Sequence, residues 1–334
     1  MNIRDNREIS NFAARRVADA PTHKRIAAIY AGLILGMAAL VSLVNYFIGN
    51  QIDNYGGLSN LGTRKILSTI QTMLPLAQSV IAMCLEIGFL AAMLRIARGQ
   101  YVSPQTLRLG FDRFWQLMRC SIIKYLILIA NVCAGVYFGI LIFIMTPLSE
   151  PAMEVLTPYL SELTVLNSNL VMNEIDYAAF AGAMLPAYAI CALTVGLMAV
   201  PVMYAYRMVN YIIIDHPGMG ALAVLRESKK MMRRNRFALF KLDLRLWWYY
   251  AAMLAATVLC YGDVILPMIG VELPFHSDVT YFLFFGLYLG ALFAVYYFLR
   301  SRVEVAYGMA YDALKPKEPA NNGGVVLGNI FDMQ

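Results

Sequence analysis

Residues Ile214–Trp248 read IDHPGMGALAVLRESKKMMRRNRFALFKLDLRLWW. On a helical wheel Ala221, Val224, Leu225, Ser228, Met231 and Met232 fall on one face, and Arg226, Glu227, Lys229, Lys230, Arg233 and Arg234 on the other. This pattern predicts an amphipathic helix that starts near Pro217, which sits in its first turn, with Asp215 as a cap and Asn235 at the break. A basic helix of this kind lies in the headgroup layer of a membrane. Beyond the break, Phe237, Phe240 and Leu244 lead to Trp247, Trp248, Tyr249 and Tyr250. Trp and Tyr favour the interface, so they mark the start of a spanning helix. The runs on either side are too apolar for a soluble domain. The fold class that follows is all-α: a polytopic membrane protein.

The rest of the composition points the same way. Of 334 residues, 60% are hydrophobic and 14% charged, with mean hydropathy +0.60. Soluble domains run near half apolar and a quarter charged. A net charge of +6 invites a nucleic-acid reading, but the basic residues sit in short loops between apolar runs, so no nucleic-acid partner is expected. Cys84, Cys120, Cys133, Cys191 and Cys260 lie in or beside apolar runs without a CxxC pair. They are expected to be small hydrophobes rather than metal ligands or disulfides.

Six runs reach the roughly 20 residues a spanning helix needs: 26–47, 66–96, 122–145, 177–204, 246–268 and 279–299. They form one domain over 26–314, preceded by an amphipathic segment at 1–25 that stops at Pro21 and followed by a tail at 315–334 expected to be disordered. No cleavable signal pattern is expected at the polar start. Of the 27 Lys and Arg residues, all but Arg64 and Lys65 fall on one side of the predicted spans. Basic loops stay cytoplasmic, which places both termini inside. The outer loop over 146–176 carries acids only. Basic, helix-patterned segments at 4–20, 107–119 and 221–236 precede the odd-numbered spans, so the expected architecture is six transmembrane helices with cytoplasmic interfacial amphipathic helices.

Two stretches resemble the bacterial integral membrane family catalogued as domain of unknown function nine-seven-five. One is LRIARGQYVSPQTLRLGFDRF, residues 94–114, with its Ala-Arg-Gly turn after a span and its Gly-Phe helix. The other is VPVMYAYRMVNYIIIDHPGMGALAVLRESKKMM, continued by RRNRFALFKLDLRLWW. Arg98, Gly99, Gly110, Phe111, Pro201, Tyr206, Ala223, Leu225, Ser228, Phe240 and Trp248 fit the pattern, and REISNFAARRV near the start is similar to the family's opening helix. The resemblance implies a multi-pass protein of the bacterial cytoplasmic (inner) membrane. It implies no activity.

Ionisable residues inside spans are costly and are functional candidates. In the second span Ser68, Gln71, Pro75, Gln78, Ala82 and Glu86 share a helical face, with Glu86 set deep, well before the cytoplasmic Arg95. A cation site, a proton relay and a structural role within the bundle all fit Glu86. Asn131 and Asp263 are lesser candidates. Gly32/Gly36, Gly135/Gly139 and Gly286/Gly290 form GxxxG pairs, which bring helix backbones close. The headgroup-contact candidates are Arg226, Lys229, Lys230, Arg233, Arg234, Trp247 and Trp248. The three His residues lie outside the spans, and HExxH, GxSxG and P-loop patterns are missing. No enzyme, cofactor or metal is expected. The leading expectation is a non-enzymatic scaffold or accessory protein of the cell envelope that binds anionic lipid headgroups, with a homo-oligomer or a membrane-protein partner left open. The alternative is a transporter, channel or lipid-translocating protein that uses the polar face of the second span.

Overall fold

The computed structural model describes residues 5–54, 61–160, 182–262, 265–266 and 277–315. Among these, every regular element is helical. α1 is Asn6–Asp19, α2 Thr22–Asn54, α3 Leu61–Ala97, α4 Leu109–Asp112, α5 Phe114–Met145, α6 Glu150–Leu160 and α7 Leu185–Ala205. α8 is Val209–Asp215, α9 Ala221–Met232, α10 Arg236–Arg245, α11 Trp247–Cys260, α12 Ser277–Val295 and α13 Ser301–Leu314. A 3₁₀ turn, Pro104–Arg108, leads into α4, and a π-helical turn, Tyr296–Arg300, joins α12 to α13.

Five stretches are long and apolar enough to cross a membrane: Thr22–Ile52, Gly62–Ala97, Phe114–Met145, Leu185–Asp215 and Val279–Leu314. They belong to a multi-pass membrane protein. A bilayer interior cannot hydrogen-bond a backbone, so apolar runs entering it must form helices. The fifth expected span appears as α11, 14 apolar residues, with 263–264 and 267–268 of the 246–268 run outside the described residues. Asp263, the start of the 177–204 run and most of the expected acidic loop and tail also lie outside them.

The helices are longer than a bilayer requires. α3 has 37 residues, about 55 Å at 1.5 Å per residue, against roughly 30 Å of hydrocarbon. The surplus is gathered at one end, here called the base, where the main core lies. Ile9 of α1, Phe89 of α3, Leu117 of α5, Ile213 of α8, Val224 of α9 and Tyr311 of α13 are all buried in it. Toward the other end the helices turn large apolar side chains outward, among them Leu40, Phe47, Ile144, Leu193 and Leu197. α3 is the central element: 67% of its most apolar window is buried, against 11–17% for the stretches through α5, α7 and α12.

Three local devices assemble the base. α3 ends in a left-handed turn at Gly99 (φ 74°). Gly99 N–H donates to Ile96 C=O at 2.9 Å, and Gln100 N–H to Arg95 C=O at 2.9 Å, a Schellman closure. Gly110 lies against the backbone of Cys84, and Gly88 against that of Leu107, where an added Cβ would sit 2.6 Å from Leu107 Cα. The 104–112 segment therefore touches α3 backbone to backbone. Arg113 Nη1 donates to the carbonyls of Ile213 and Ile214, both at 2.5 Å, and Gln116 to those of His216 and Met219. These bonds satisfy the free carbonyls that end α8. Burial pushes the Arg113 guanidinium down.

Several expectations change here. The apolar faces of the N-terminal segment and of 221–236 are turned to protein, not to lipid. Ile9 and Ala13 are fully buried, and Val224, Leu225, Ser228, Met231 and Met232 are buried as well. Ser228 Oγ donates to Ala205 C=O at 2.9 Å. The helical period alone does not say which apolar partner a face meets. Asp215 caps no helix; it ends α8 and takes Arg98 and Lys315. α9 starts later, at Ala221, after Gly220. Asn235 does mark the break, its Nδ2 donating to Met231 C=O at 2.9 Å. Of the three GxxxG pairs, only Gly135/Gly139 meets another helix among the described residues. Added Cβ atoms there would lie 2.7 Å from Val195 Cα and 2.8 Å from Cys191 Cα of α7, whereas Gly32, Gly36, Gly286 and Gly290 have no neighbour within 4 Å.

Candidate functional site

Where the apolar part of the bundle meets the base, α3, α5, α7, α8 and α13 line a cavity of about 300 Å³. α3 contributes Met83, Glu86 and Leu90, α5 contributes Ser121, Lys124, Tyr125 and Leu128, and α13 contributes Glu304 and Tyr307. The turn between α7 and α8 adds Tyr206 and Arg207, with Asn210 and Tyr211 just beyond it. Pro201, one turn before the end of α7, lacks the N–H that would bond the Leu197 carbonyl, and the helix stops at Ala205.

One wall is acidic. Arg300 Nη2 reaches Glu86 Oε1 at 3.4 Å, and its Nε lies 3.7 Å from Glu304 Oε1. The Tyr211 hydroxyl donates to Glu304 Oε2 at 3.3 Å. Arg300 is 8% exposed and rests in an aromatic cage: its Cζ lies 4.7 Å from the Tyr296 ring centroid, 4.9 Å from Tyr30 and 5.6 Å from Phe89. One guanidinium thus holds two carboxylates from behind, and cation–π contacts replace the water it has lost. Glu86 keeps a side-chain exposure of 45%, so it still faces open space.

The rest of the charged lining is basic. Arg207 stacks over the Tyr307 ring at 4.6 Å, and Lys124 over Tyr125 at 4.9 Å. Among the described residues neither cation forms an ion pair. Behind this wall Asp243 of α10 accepts from the hydroxyls of Tyr204 and Tyr307, and Tyr307 also shares a 2.6 Å hydrogen bond with Tyr250 of α11. α7, α10, α11 and α13 are thereby tied at one level.

The lining changes character along the bundle. Met83, Leu128, Val202 and Met203 each stand farther from the base than the charged residue on their own helix or turn. On this flank Ile81, Leu126 and Met203 are exposed and apolar. The cavity is polar at its base end and apolar at its membrane end.

A second polar centre lies deeper in the base. The Arg98 fork donates to both oxygens of Asp215 at 2.7–2.8 Å and to both oxygens of Asp312 at 2.7–3.0 Å, and Lys315 reaches Asp215 at 2.5 Å. Burial opposes the charge on Arg98, but the paired carboxylates outweigh it and hold the guanidinium above its ordinary range.

Of the intramembrane candidates among the described residues, only Glu86 lines the cavity. Gln71 and Gln78 are half-buried on α3 away from it, and Gln71 lies beside Gly49 of α2. Asn131 Nδ2 donates to Ile127 C=O of its own helix at 2.7 Å. Arg226, Lys229, Lys230, Arg233 and Arg234 are all exposed. Trp247 is exposed, whereas Trp248 packs on the core beneath Arg302, whose Cζ is 5.6 Å from its ring. An exposed apolar stripe runs instead along α10: Phe237, Phe240, Leu244 and then Trp247, with Lys241 over the Phe237 ring. The sequence reading missed Lys124, Arg207, Arg300 and Glu304 as site residues and counted the three cations as loop charges. Their signal was position: each sits well inside a helix or helical pair whose apolar run had seemed to end.

All five cysteines are free, and among the described residues no group of His, Cys, Asp and Glu is placed to hold a metal ion. No curated protein and no solved structure matches the chain. The family model described as "Protein of unknown function (DUF975)" matches residues 23–313, a range that contains every residue of the cavity. The chain is a member of that DUF975 family.

Proposed function

We propose that this protein is a non-catalytic lipid-binding scaffold or accessory protein of the bacterial inner membrane, and that the cavity holds a phospholipid by its headgroup. The observation that carries this reading is the gradient in the cavity, charged toward the base and apolar toward the exposed flank. A phospholipid has the same polarity order along its length. Lys124 and Arg207, which form no ion pair among the described residues, suit a phosphate. A soluble metabolite would not use the apolar end.

The same reading has the chain cross the bilayer six times. α7 runs toward the base, and α12 with α13 runs toward it again. The chain between them must therefore return to the far end, through α11 and the residues after it. The base is cytoplasmic on the positive-inside rule. α10 lies in the headgroup layer through Phe237, Phe240, Leu244 and Trp247, and the exposed basic residues of α9 face anionic lipid on that side.

Native mass spectrometry of the detergent-purified protein tests this. A single phospholipid should remain bound, should return after delipidation, and should be lost in Lys124→Glu. A protein that takes up no phospholipid overturns the reading. So does a cation or proton flux in proteoliposomes that Glu86→Gln abolishes, because that result restores transport.

A further inference from the structure

We infer that the cavity selects a zwitterionic headgroup with a protonated primary amine beside its phosphate, the amine toward Glu86 and Glu304 and the phosphate toward Lys124 and Arg207. This rests on the lipid-binding reading above and names the ligand class.

The argument is one of charge and donor count. On the acidic wall Glu86 and Glu304 share the single cation Arg300, which leaves one net negative charge. On the basic wall stand Lys124 and Arg207, with Asp243 behind them bound by two tyrosine hydroxyls, which leaves one net positive charge. The two walls line one small cavity, and Lys124 is within electrostatic reach of Glu86 and Arg207 at once. A purely anionic headgroup would pair with the basic wall and leave the acidic wall unpaired, at a cost. A headgroup of one negative and one positive charge answers both walls.

The amine should be primary. An ammonium group brings three N–H donors, and the carboxylate of Glu86 is open to accept them: its side chain is 45% exposed, and among the described residues its only ion pair is the 3.4 Å contact to Arg300. A quaternary amine donates no hydrogen bond and is recognised by an aromatic cage. The cage here, Tyr30, Phe89 and Tyr296, is already filled by Arg300.

The test uses the full-length protein, delipidated in detergent and titrated with phosphatidylethanolamine, phosphatidylcholine, phosphatidylglycerol and soluble glycerophosphoethanolamine. Phosphatidylethanolamine should bind at least tenfold tighter than each of the others. Glu86→Gln should reduce its advantage over phosphatidylglycerol to about twofold or less. Lys124→Gln should weaken both lipids together while keeping their ratio. Equal affinity for the three lipids overturns the selectivity and leaves the lipid-binding reading standing, whereas no binding of any lipid overturns that reading itself. If the soluble headgroup matches phosphatidylethanolamine, the occupant is a soluble phospho-amine and the lipid assignment falls. Should Glu86→Gln unfold, as judged by thermal melting, the wild-type preference and Lys124→Gln decide the question.

Discussion

Replacing Gly135 with Ala asks whether α5 and α7 are in backbone contact. The new Cβ would lie 2.7 Å from Val195 Cα and 3.0 Å from Val195 N, where ordinary contact begins at 3.4 Å. Both obstacles are backbone, so no side chain can rotate aside and the helices must part. Overpacking of this kind costs about 1–3 kcal/mol, with rigid backbone at the upper end. Parting also stretches the 2.8 Å bond from Thr194 Oγ1 to Gly135 C=O, worth about 0.6 kcal/mol in membrane proteins. Against this, Gly to Ala in a helix interior gains about 1 kcal/mol. The net is a loss of about 2 kcal/mol, or roughly 4–8 °C in Tm. Gly32→Ala is the matched control: its Cβ meets nothing within 4 Å, so only the propensity gain of about 1 kcal/mol remains, and its Tm should rise. Thermal melting of both variants in one detergent reads the two signs. If Gly135→Ala also rises, α5 and α7 do not pack as described.

Further outcomes follow from the polar centres. Arg98→Lys should lower stability by about 1–2 kcal/mol in denaturant unfolding, because a single ammonium cannot serve four carboxylate oxygens in a fixed fork; an unchanged midpoint would show the fork to be ornamental. Arg300→Gln should cost about 3–5 kcal/mol, leaving Glu86 and Glu304 without their shared cation; a variant that melts like the wild type refutes that role. Changing Arg226, Lys230, Arg233 and Arg234 together to Gln removes four exposed cations, each worth about 1 kcal/mol beside an anionic surface. Retention of phosphatidylglycerol by the purified variant should fall, and undiminished retention would end the idea of an anionic-lipid clamp on α9.

Five of the six expected spans were legible because hydropathy acts residue by residue, and the turn at Gly99 was legible because its left-handed backbone favours glycine. The base was not legible. Ile9, Ala13 and Val224 repeat with a helical period whether they meet acyl chains or Phe89 and Met93, and only tertiary packing decides between the two. The cavity was readable by a quarter: Glu86 stood out as a lone acid in an apolar run, but Lys124, Arg207 and Glu304 sit near the ends of their runs, where charges ordinarily reach water. That they line one cavity follows from helices that overshoot the bilayer, a fact of length that no local pattern states. The glycine pairs show the same limit, for GxxxG reads identically at 32/36, where space is open, and at 135/139, where another helix fills it.

The π-helical turn at Tyr296–Arg300 gives the last helix something like a reading frame. An α-helix turns by about 100° per residue. Deleting one residue there would rotate everything after it by that angle at once: Glu304 and Tyr307 would leave the cavity, Tyr311 its stack on Tyr211, and Asp312 its bond to Arg98. Substitutions in 296–300 are local events, but a change of length there is a frameshift in space, felt from the cavity to the far end of the base.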